Sequence, residues 1–279
     1  MTILDTSILG VVQGLAEFLP ISSSGHLILA RELFGVGIES LPAATGAAQA
    51  GGLAFDAVLQ FATACAVVVY FRNDLMVLAQ AMIRRATGGE FDAAQERLFI
   101  ALVVATVPAI FIGLFLEDAM ETVFRHGALV AGALLVGSLI MVMAERWAKA
   151  VSNDALTPGK SLAIGFFQAL ALIPGMSRSG MTIAGGMFLG LSRESAARFS
   201  FLLAIPILLG SGAKKMVDIG SAGISQADLL VLIVGVVAAF AVGLAVIHYL
   251  LRFLRTHSMM VFVWYRVALA AAVFVLVSW

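Results

Sequence analysis

Apolar residues in this chain come in long runs broken by short polar punctuation, and the length of each run sorts it into one of two kinds. Six stretches, roughly 52–71, 97–116, 127–147, 195–212, 227–251 and 258–278, approach or exceed the ~20 apolar residues a helix needs to cross a hydrocarbon core. The fourth is the shortest. Pro108 and Pro206 fall inside two of them, where neighbouring helices can satisfy the freed carbonyls. Two further segments are interrupted. Residues 3–19 are apolar, Ser22-Ser23-Ser24-Gly25-His26 breaks the run, and 27–36 resumes it. Residues 161–173 are apolar, Pro174-Gly175-Met176-Ser177-Arg178-Ser179-Gly180 breaks the run, and 181–191 resumes it. Arms of this length rise only about 15–24 Å, short of a core about 30 Å thick. Both segments therefore predict re-entrant helical hairpins. The longest loop is expected at about 72–96, and the Ala/Gly-rich piece 42–52 reads as a linker or loop.

The two interrupted segments resemble each other. At a fixed offset of 155 and without gaps, Gly10 matches Gly165, Gln13 matches Gln168, and Leu15-Ala16 matches Leu170-Ala171. Ser22 matches Ser177, and Ser24-Gly25 matches Ser179-Gly180. Apolar coincidences are cheap, but a shared Q-x-L-A followed by S-x-S-G implies an internal duplication. One membrane domain covering 1–279 is expected, with repeat 1 at about 1–147 and repeat 2 at about 160–279.

Composition fixes the solvent. The 279 residues are 61% hydrophobic and 12% charged, with mean hydropathy +1.04. A soluble domain carries roughly a quarter charged residues, so lipid is the surrounding medium. The formal net charge is zero, which implies no nucleic-acid partner. Cys65, the single cysteine, lies in an apolar run and reads as a packing residue. The N-terminal run lacks a basic flank and carries Asp5, unlike a cleavable signal peptide.

Charge then sets orientation, because Lys and Arg favour cytoplasmic loops. Arg72, Arg84, Arg85 and Arg97 crowd 72–97, and Arg146, Lys149 and Lys160 crowd 146–160. The alternate connections hold only Arg31, Arg125, Lys214 and Lys215, and 117–126 is acidic. Both termini are thus expected outside. The hairpins would enter from opposite faces, as an inverted-topology repeat with its polar tips meeting near the midplane.

Ionisable groups at membrane depth are costly and are functional candidates by default. The two tips would gather Gln13, Glu17, Ser22, Ser23, Ser24, His26, Ser177, Arg178, Ser179 and Thr182. That set suits a phosphate ester. Arg178 offers a planar fork of donors, and hydroxyls with the backbone N–H groups of a Gly-containing turn add an anion site. His26 is a candidate general acid or base, and Ser23 beside it a candidate nucleophile. Direct attack by His26 is the competing version. Glu17 and Gln13 are the candidate ligands of a divalent cation, Mg²⁺ or Ca²⁺, since Mg²⁺ takes few protein carboxylates when substrate oxygens complete its shell.

Blander readings stand beside these. Ser22 and Ser179 also suit turn positions that cap a half-helix, and Glu17 could pair structurally with Arg178. Ser195, Ser200 and Ser211 read as helix serines bonded to their own backbone. His126, His248 and His257 read as interfacial or loop residues, and Tyr70, Trp147 and Trp279 as an aromatic belt. Arg266, about nine residues into the last span, is either a buried structural ion or a second substrate contact. Asp56 and Gln60 either line a mouth or pack between helices.

The motif Gln13-Gly-Leu-Ala-Glu17-Phe-Leu-Pro-Ile-Ser-Ser-Ser-Gly-His26 resembles the first motif of the undecaprenyl-diphosphate phosphatase family associated with bacitracin resistance. Pro174-Gly-Met-Ser177-Arg178-Ser179-Gly-Met-Thr182 resembles its second. The resemblance implies hydrolysis of undecaprenyl diphosphate to the monophosphate, dependence on a divalent cation, and a bacterial inner-membrane site open to the outer face. Family roles carry over to Glu17, Ser23, His26, Ser177, Arg178 and Thr182. Gln13 stands where the family often has Glu, and its neutral amide would hold a cation more weakly. Membrane lipid and a second copy of the chain are the remaining candidate partners. The rival class is a transporter of undecaprenyl phosphate, which needs no nucleophile–base pair. An acid-phosphatase-like lipid phosphatase is disfavoured, because Ala184 stands where its histidine belongs.

Overall fold

The computed structural model describes residues 2–27, 48–88, 92–122, 127–147, 155–222 and 226–277. All regular structure among them is helical. The elements are α1 (Ile3–Ala16), α2 (Ala48–Tyr70), α3 (Arg72–Ala86), α4 (Ala93–Thr122), α5 (Gly127–Trp147), α6 (Pro158–Leu170), α7 (Arg178–Phe188), α8 (Arg193–Ala222), α9 (Gln226–Leu254) and α10 (Met260–Val277). Residues 23–27 begin a further helix, whose continuation, the expected arm to 36, lies outside the described residues. So do Arg31, Arg125, His126, Lys149 and Trp279.

Four helices are long and apolar enough to cross a membrane: Ala93–Leu116, Ala128–Trp147, Arg193–Lys214 and Leu229–Leu254. A fifth is added if Phe55–Tyr70 and Arg72–Ala86, bent by 76° where they join, count as one span. The protein is a multi-pass membrane protein, all-helical among the described residues. The apolar stretch Met260–Val275 is shorter than the expected last span, whereas the fourth expected span, the shortest in sequence, is the 30-residue α8.

Two expectations of irregular structure are corrected. Most of the expected loop 72–96 is helix: Arg72–Ala86 forms α3. Its apolar positions Leu75, Leu78 and Met82 recur at helical spacing between Arg72, Asp74, Arg84 and Arg85, and Leu78 and Ala81 are buried. An amphipathic helix has no long apolar run, so a search by run length passes over it. The piece 42–52 is likewise helical from Ala48; its first part lies outside the described residues.

α1 and α6 begin alike. Thr2 caps α1 in a capping box with Asp5, and Thr157 caps α6 by accepting from the Lys160 N–H at 3.3 Å. Thr6 and Ser161 then return their hydroxyls to the carbonyls of Thr2 and Thr157. Glycine lets each of these helices approach a long partner closely, α1 against α9 and α6 against α4. A Cβ at Gly10 would run into the Gly235 carbonyl, and one at Gly165 would come within 2.6 Å of the Ala105 carbonyl. Small residues at such contacts are how membrane helices gain packing without a hydrophobic driving force. α2 packs on α8, and α5 on α10. The central core runs from Phe18, edge-on to Phe201, through Met141, Met181 and Leu203 to Leu250.

One end of the bundle is tied by charge. Buried Glu145 of α5 accepts from Arg193 at 2.9 and 3.1 Å and from the Met259 N–H at 2.6 Å. Nearby pairs join Arg198 to Asp74 and Arg255 to Glu194.

The substitution Gly10→Leu must push α1 off α9. Overpacking of this kind costs about 1–3 kcal/mol, so thermal unfolding in detergent is expected at a lower temperature than for the unsubstituted protein, with Gly132→Leu, which faces open space, much less affected.

Candidate active site

The turns that follow α1 and α6 are built the same way. Ser22 and Ser177 adopt left-handed backbone conformations, φ 76° and 72°, which non-glycine residues rarely take and which concentrate at functional sites. The Ser22 hydroxyl lies 3.2 Å from that of Ser24, and the Ser177 hydroxyl 3.2 Å from that of Ser179. Ser177 also caps α7, accepting from the Gly180 N–H at 3.2 Å.

The two turns touch. The Ser179 hydroxyl donates to the Leu19 carbonyl at 3.0 Å. Arg178 Nη2 donates to Glu17 Oε1 at 2.9 Å, an ion pair that is almost wholly buried. Glu17 Oε2 accepts from Gln13 Nε2 at 2.8 Å, one helical turn back, and from the Ser23 hydroxyl at 3.0 Å. Arg178 Nη1 donates to the Ser200 carbonyl of α8 at 3.2 Å. Thr182 sets its hydroxyl 2.6 Å from that of Ser200 and donates to the Arg178 carbonyl at 2.7 Å. Gln13, Glu17, Ser23, Arg178 and Thr182 thus form one connected cluster, with Ser200 added. Ser200 was read as a helix serine; its hydroxyl meets Thr182 instead.

Two polar atoms in this cluster are buried without a partner: Gln13 Oε1 and Arg178 Nε. Buried groups are rarely left so. One is an oxygen acceptor and the other a nitrogen donor, each on a side chain that meets the Glu17 carboxylate through another of its atoms. The Gln13 amide oxygen and the Glu17 carboxylate are oxygen donors of the type a divalent cation takes; Gln13 meets Glu17 through its Nε2, and the equivalent Gln168 oxygen is unpartnered as well. No cluster of three or more His, Cys, Asp or Glu exists among the described residues.

His26 stands apart from Ser23. Its Nδ1 lies 2.7 Å from the Ser22 carbonyl and its Nε2 lies 2.6 Å from the Tyr265 hydroxyl of α10. The pairing expected of Ser23 with His26 is replaced by Ser23 with Glu17. The reason is local: the ring turns back one helical turn onto the Ser22 carbonyl, which leaves the serine facing α1.

Arg266 is fully buried. Its guanidinium donates to the Ser138 hydroxyl at 3.0 Å and to the carbonyls of Pro20 at 3.3 Å, Leu134 at 3.1 Å and Gly175 at 3.0 Å. It fits because Gly137 has no side chain; a Cβ there would strike Nη2. Of its two readings, these bonds favour the structural ion, and one that grips both turns. Charge at membrane depth was a signal for Arg266 in the sequence. Tyr265 gave none, since tyrosine is ordinary near a membrane surface.

A family model described as bacitracin resistance protein BacA matches residues 6–272. The chain belongs to this family. Among curated relatives, an undecaprenyl-diphosphatase of Myxococcus xanthus is 42% identical over the whole chain and 90% of its own length. One of Pelotomaculum thermopropionicum is 41% identical over the whole chain and 98% of its length, and one of Thermobifida fusca 40% over the whole chain and 91% of its length.

In this member of the BacA family, the Arg266 grip is open to direct measurement. Arg266→Met leaves the carbonyls of Pro20 and Gly175 without that donor in a dry interior, at about 1–3 kcal/mol for each group left unpaired. A markedly lower unfolding temperature in detergent is expected, with Arg266→Lys only partly restoring it because one ammonium cannot reach four acceptors.

Proposed function

We propose that this chain is a membrane phosphatase that hydrolyses undecaprenyl diphosphate to undecaprenyl phosphate and inorganic phosphate, returning the lipid carrier to cell-wall peptidoglycan synthesis and so conferring bacitracin resistance. One observation carries the reading: the Glu17 carboxylate holds Arg178 of the second turn and the Ser23 hydroxyl of the first, and Arg178 Nε and Gln13 Oε1, on two of the side chains bonded to it, are buried without partners. That arrangement offers an anion donor, a cation acceptor and a nucleophile together. The relatives' activity, at about 40% identity over the full chain, points the same way.

Phosphoryl transfer asks mainly for positioning and charge stabilisation. Arg178, held by Glu17 and the Ser200 carbonyl, is the guanidinium that donates to an oxygen of the terminal phosphate. Ser23 Oγ attacks the terminal phosphorus and its proton passes to Glu17 Oε2, to which it already donates. The bond from phosphorus to the bridging oxygen breaks, and undecaprenyl phosphate leaves with the bonding pair. Water then attacks the phosphoserine, giving its proton to His26 Nε2 as the Tyr265 hydroxyl bonded there yields, and His26 passes that proton on to bulk water. Ser23 recovers its proton from Glu17, and inorganic phosphate departs. Gln13 Oε1 and the Glu17 carboxylate would hold a divalent cation, which when bound neutralises charge on the diphosphate. Ser177, Ser179 and Thr182 keep the second turn and Arg178 in place.

Around this site the architecture we favour has six spans with α1 and α6–α7 as parts of two re-entrant hairpins, inserted from opposite faces. The pairing of helices supports it: exchanging the halves maps α1–α9 onto α6–α4 and leaves α2–α8 and α5–α10 as like-with-like pairs. The positive residues of 72–97 support a cytoplasmic location for α3, an inner-membrane home and a site open to the outer face. A transporter shares such an architecture but has no use for a serine bonded to a carboxylate.

The purified protein in detergent, without any gradient, is expected to release phosphate from undecaprenyl diphosphate, and chelator to suppress that release. Arg178→Ala is expected to lower kcat/KM by about 10²–10³-fold; turnover near wild type would overturn the assignment. Mass spectrometry of trapped enzyme is expected to find phosphate on Ser23, and phosphate on His26 instead would exclude the serine mechanism.

A further inference from the structure

The sequence motifs stop at the two turns, yet the closest side-chain contact of His26 comes from neither. Tyr265, on α10, sits 239 residues away in the chain with its hydroxyl 2.6 Å from His26 Nε2. The two rings are nearly parallel, 8° between planes and 5.5 Å between centroids. On the other side of the imidazole, Nδ1 lies 2.7 Å from the Ser22 carbonyl. A carbonyl only accepts, so Nδ1 carries the proton. In the neutral ring Nε2 is then the lone-pair nitrogen, and the Tyr265 O–H is the donor that meets it.

From this geometry we infer that Tyr265 is a positioning residue for His26. It fixes the Nδ1–H tautomer from the Nε2 side and holds the ring with its lone pair directed away from the Ser22 turn. The inference deepens the phosphatase reading and rests on it for the role of His26. Three features support the assignment. The Ser22 carbonyl belongs to a strained left-handed residue, so the Nδ1 anchor is set by the turn. The Pro20 carbonyl of the same turn is gripped by Arg266, the neighbour of Tyr265 in sequence. One turn of α10 therefore holds both the backbone of the first turn and the catalytic nitrogen beside it. Tyr265 is also 46% exposed, so its ring can shift without unpacking the core.

A tyrosine that only packs against the imidazole would be replaced without loss by phenylalanine. A tyrosine that sets the tautomer would not. Tyr265→Phe is therefore expected to lower kcat for phosphate release from undecaprenyl diphosphate by about tenfold, with the unfolding temperature unchanged. In protein carrying ¹⁵N-histidine in detergent, wild-type His26 is expected to show a protonated Nδ1 and an unprotonated, hydrogen-bonded Nε2. The Nε2 resonance is expected to move towards that of a free lone-pair nitrogen in Tyr265→Phe. An unchanged Nε2 resonance, or wild-type kcat, would overturn the inference. Wild-type protein that releases no phosphate would count against the phosphatase reading alone, because the resonance comparison does not depend on turnover.

Discussion

Two stretches of irregular backbone meet in the interior of this protein, and carbonyls there have no bulk water to satisfy them. Arg266 is the answer to that constraint. A single guanidinium donates to the Pro20 carbonyl of one turn and the Gly175 carbonyl of the other, while α5 supplies the Ser138 hydroxyl and the Leu134 carbonyl. Arginine suits the task because its donors lie in a fixed planar fork and it stays charged when buried. Gly137 opens the slot in which the fork lies. With the turns held, Ser179 can reach the Leu19 carbonyl and Arg178 can reach Glu17. Arg266 spends its donors on backbone carbonyls and one hydroxyl, whereas Arg178 is paired with the Glu17 carboxylate.

The Glu17–Arg178 pair is less a source of stability than a means of keeping charge ready. A buried ion pair seldom gains more than its desolvation costs. Here the carboxylate accepts from Arg178, Gln13 and Ser23, and the guanidinium's Nε has no partner. Groups already stripped of water and already oriented need no reorganisation when charge moves, which is where most electrostatic catalysis arises.

Much of this was legible in the sequence, and the boundary of what was not has physical causes. Polar residues inside apolar runs stand out, so the Gln13–His26 and Pro174–Thr182 segments could be singled out by composition alone and their family named from their order. Long apolar helices were equally plain. The amphipathic α3 was missed because its signal is periodicity rather than run length. Ser200 was set aside because a serine in a helix ordinarily bonds its own backbone; only the packing of α7 on α8 brings Thr182 to it. Proximity in sequence misled at Ser23 and His26, three residues apart, where the backbone turns one towards Glu17 and the other towards Tyr265. Which side chain a residue meets across 239 positions is set by helix rotation, and sequence periodicity does not report that.

The likeness of the two turns explains why one site arises rather than two. At the offset of 155, capping threonine, tight glycine, glutamine and left-handed serine recur, and even the unpartnered oxygen of Gln13 has its counterpart on Gln168. The residues that carry charge do not recur. Glu17 faces Leu172 in the alignment, Ser23 faces Arg178, and His26 faces Met181. The shared residues make the scaffold, a short helix ending in a strained serine turn whose carbonyls can be gripped from α10. The divergent residues divide the chemistry, with carboxylate, hydroxyl and imidazole on the first turn and guanidinium on the second. The contact pairs unlike positions: Glu17 of the first turn meets Arg178, which stands in the place of Ser23, and not Leu172, which stands in its own. Divergence there places a carboxylate on the first turn and a guanidinium on the second, and the contact between the turns becomes an ion pair.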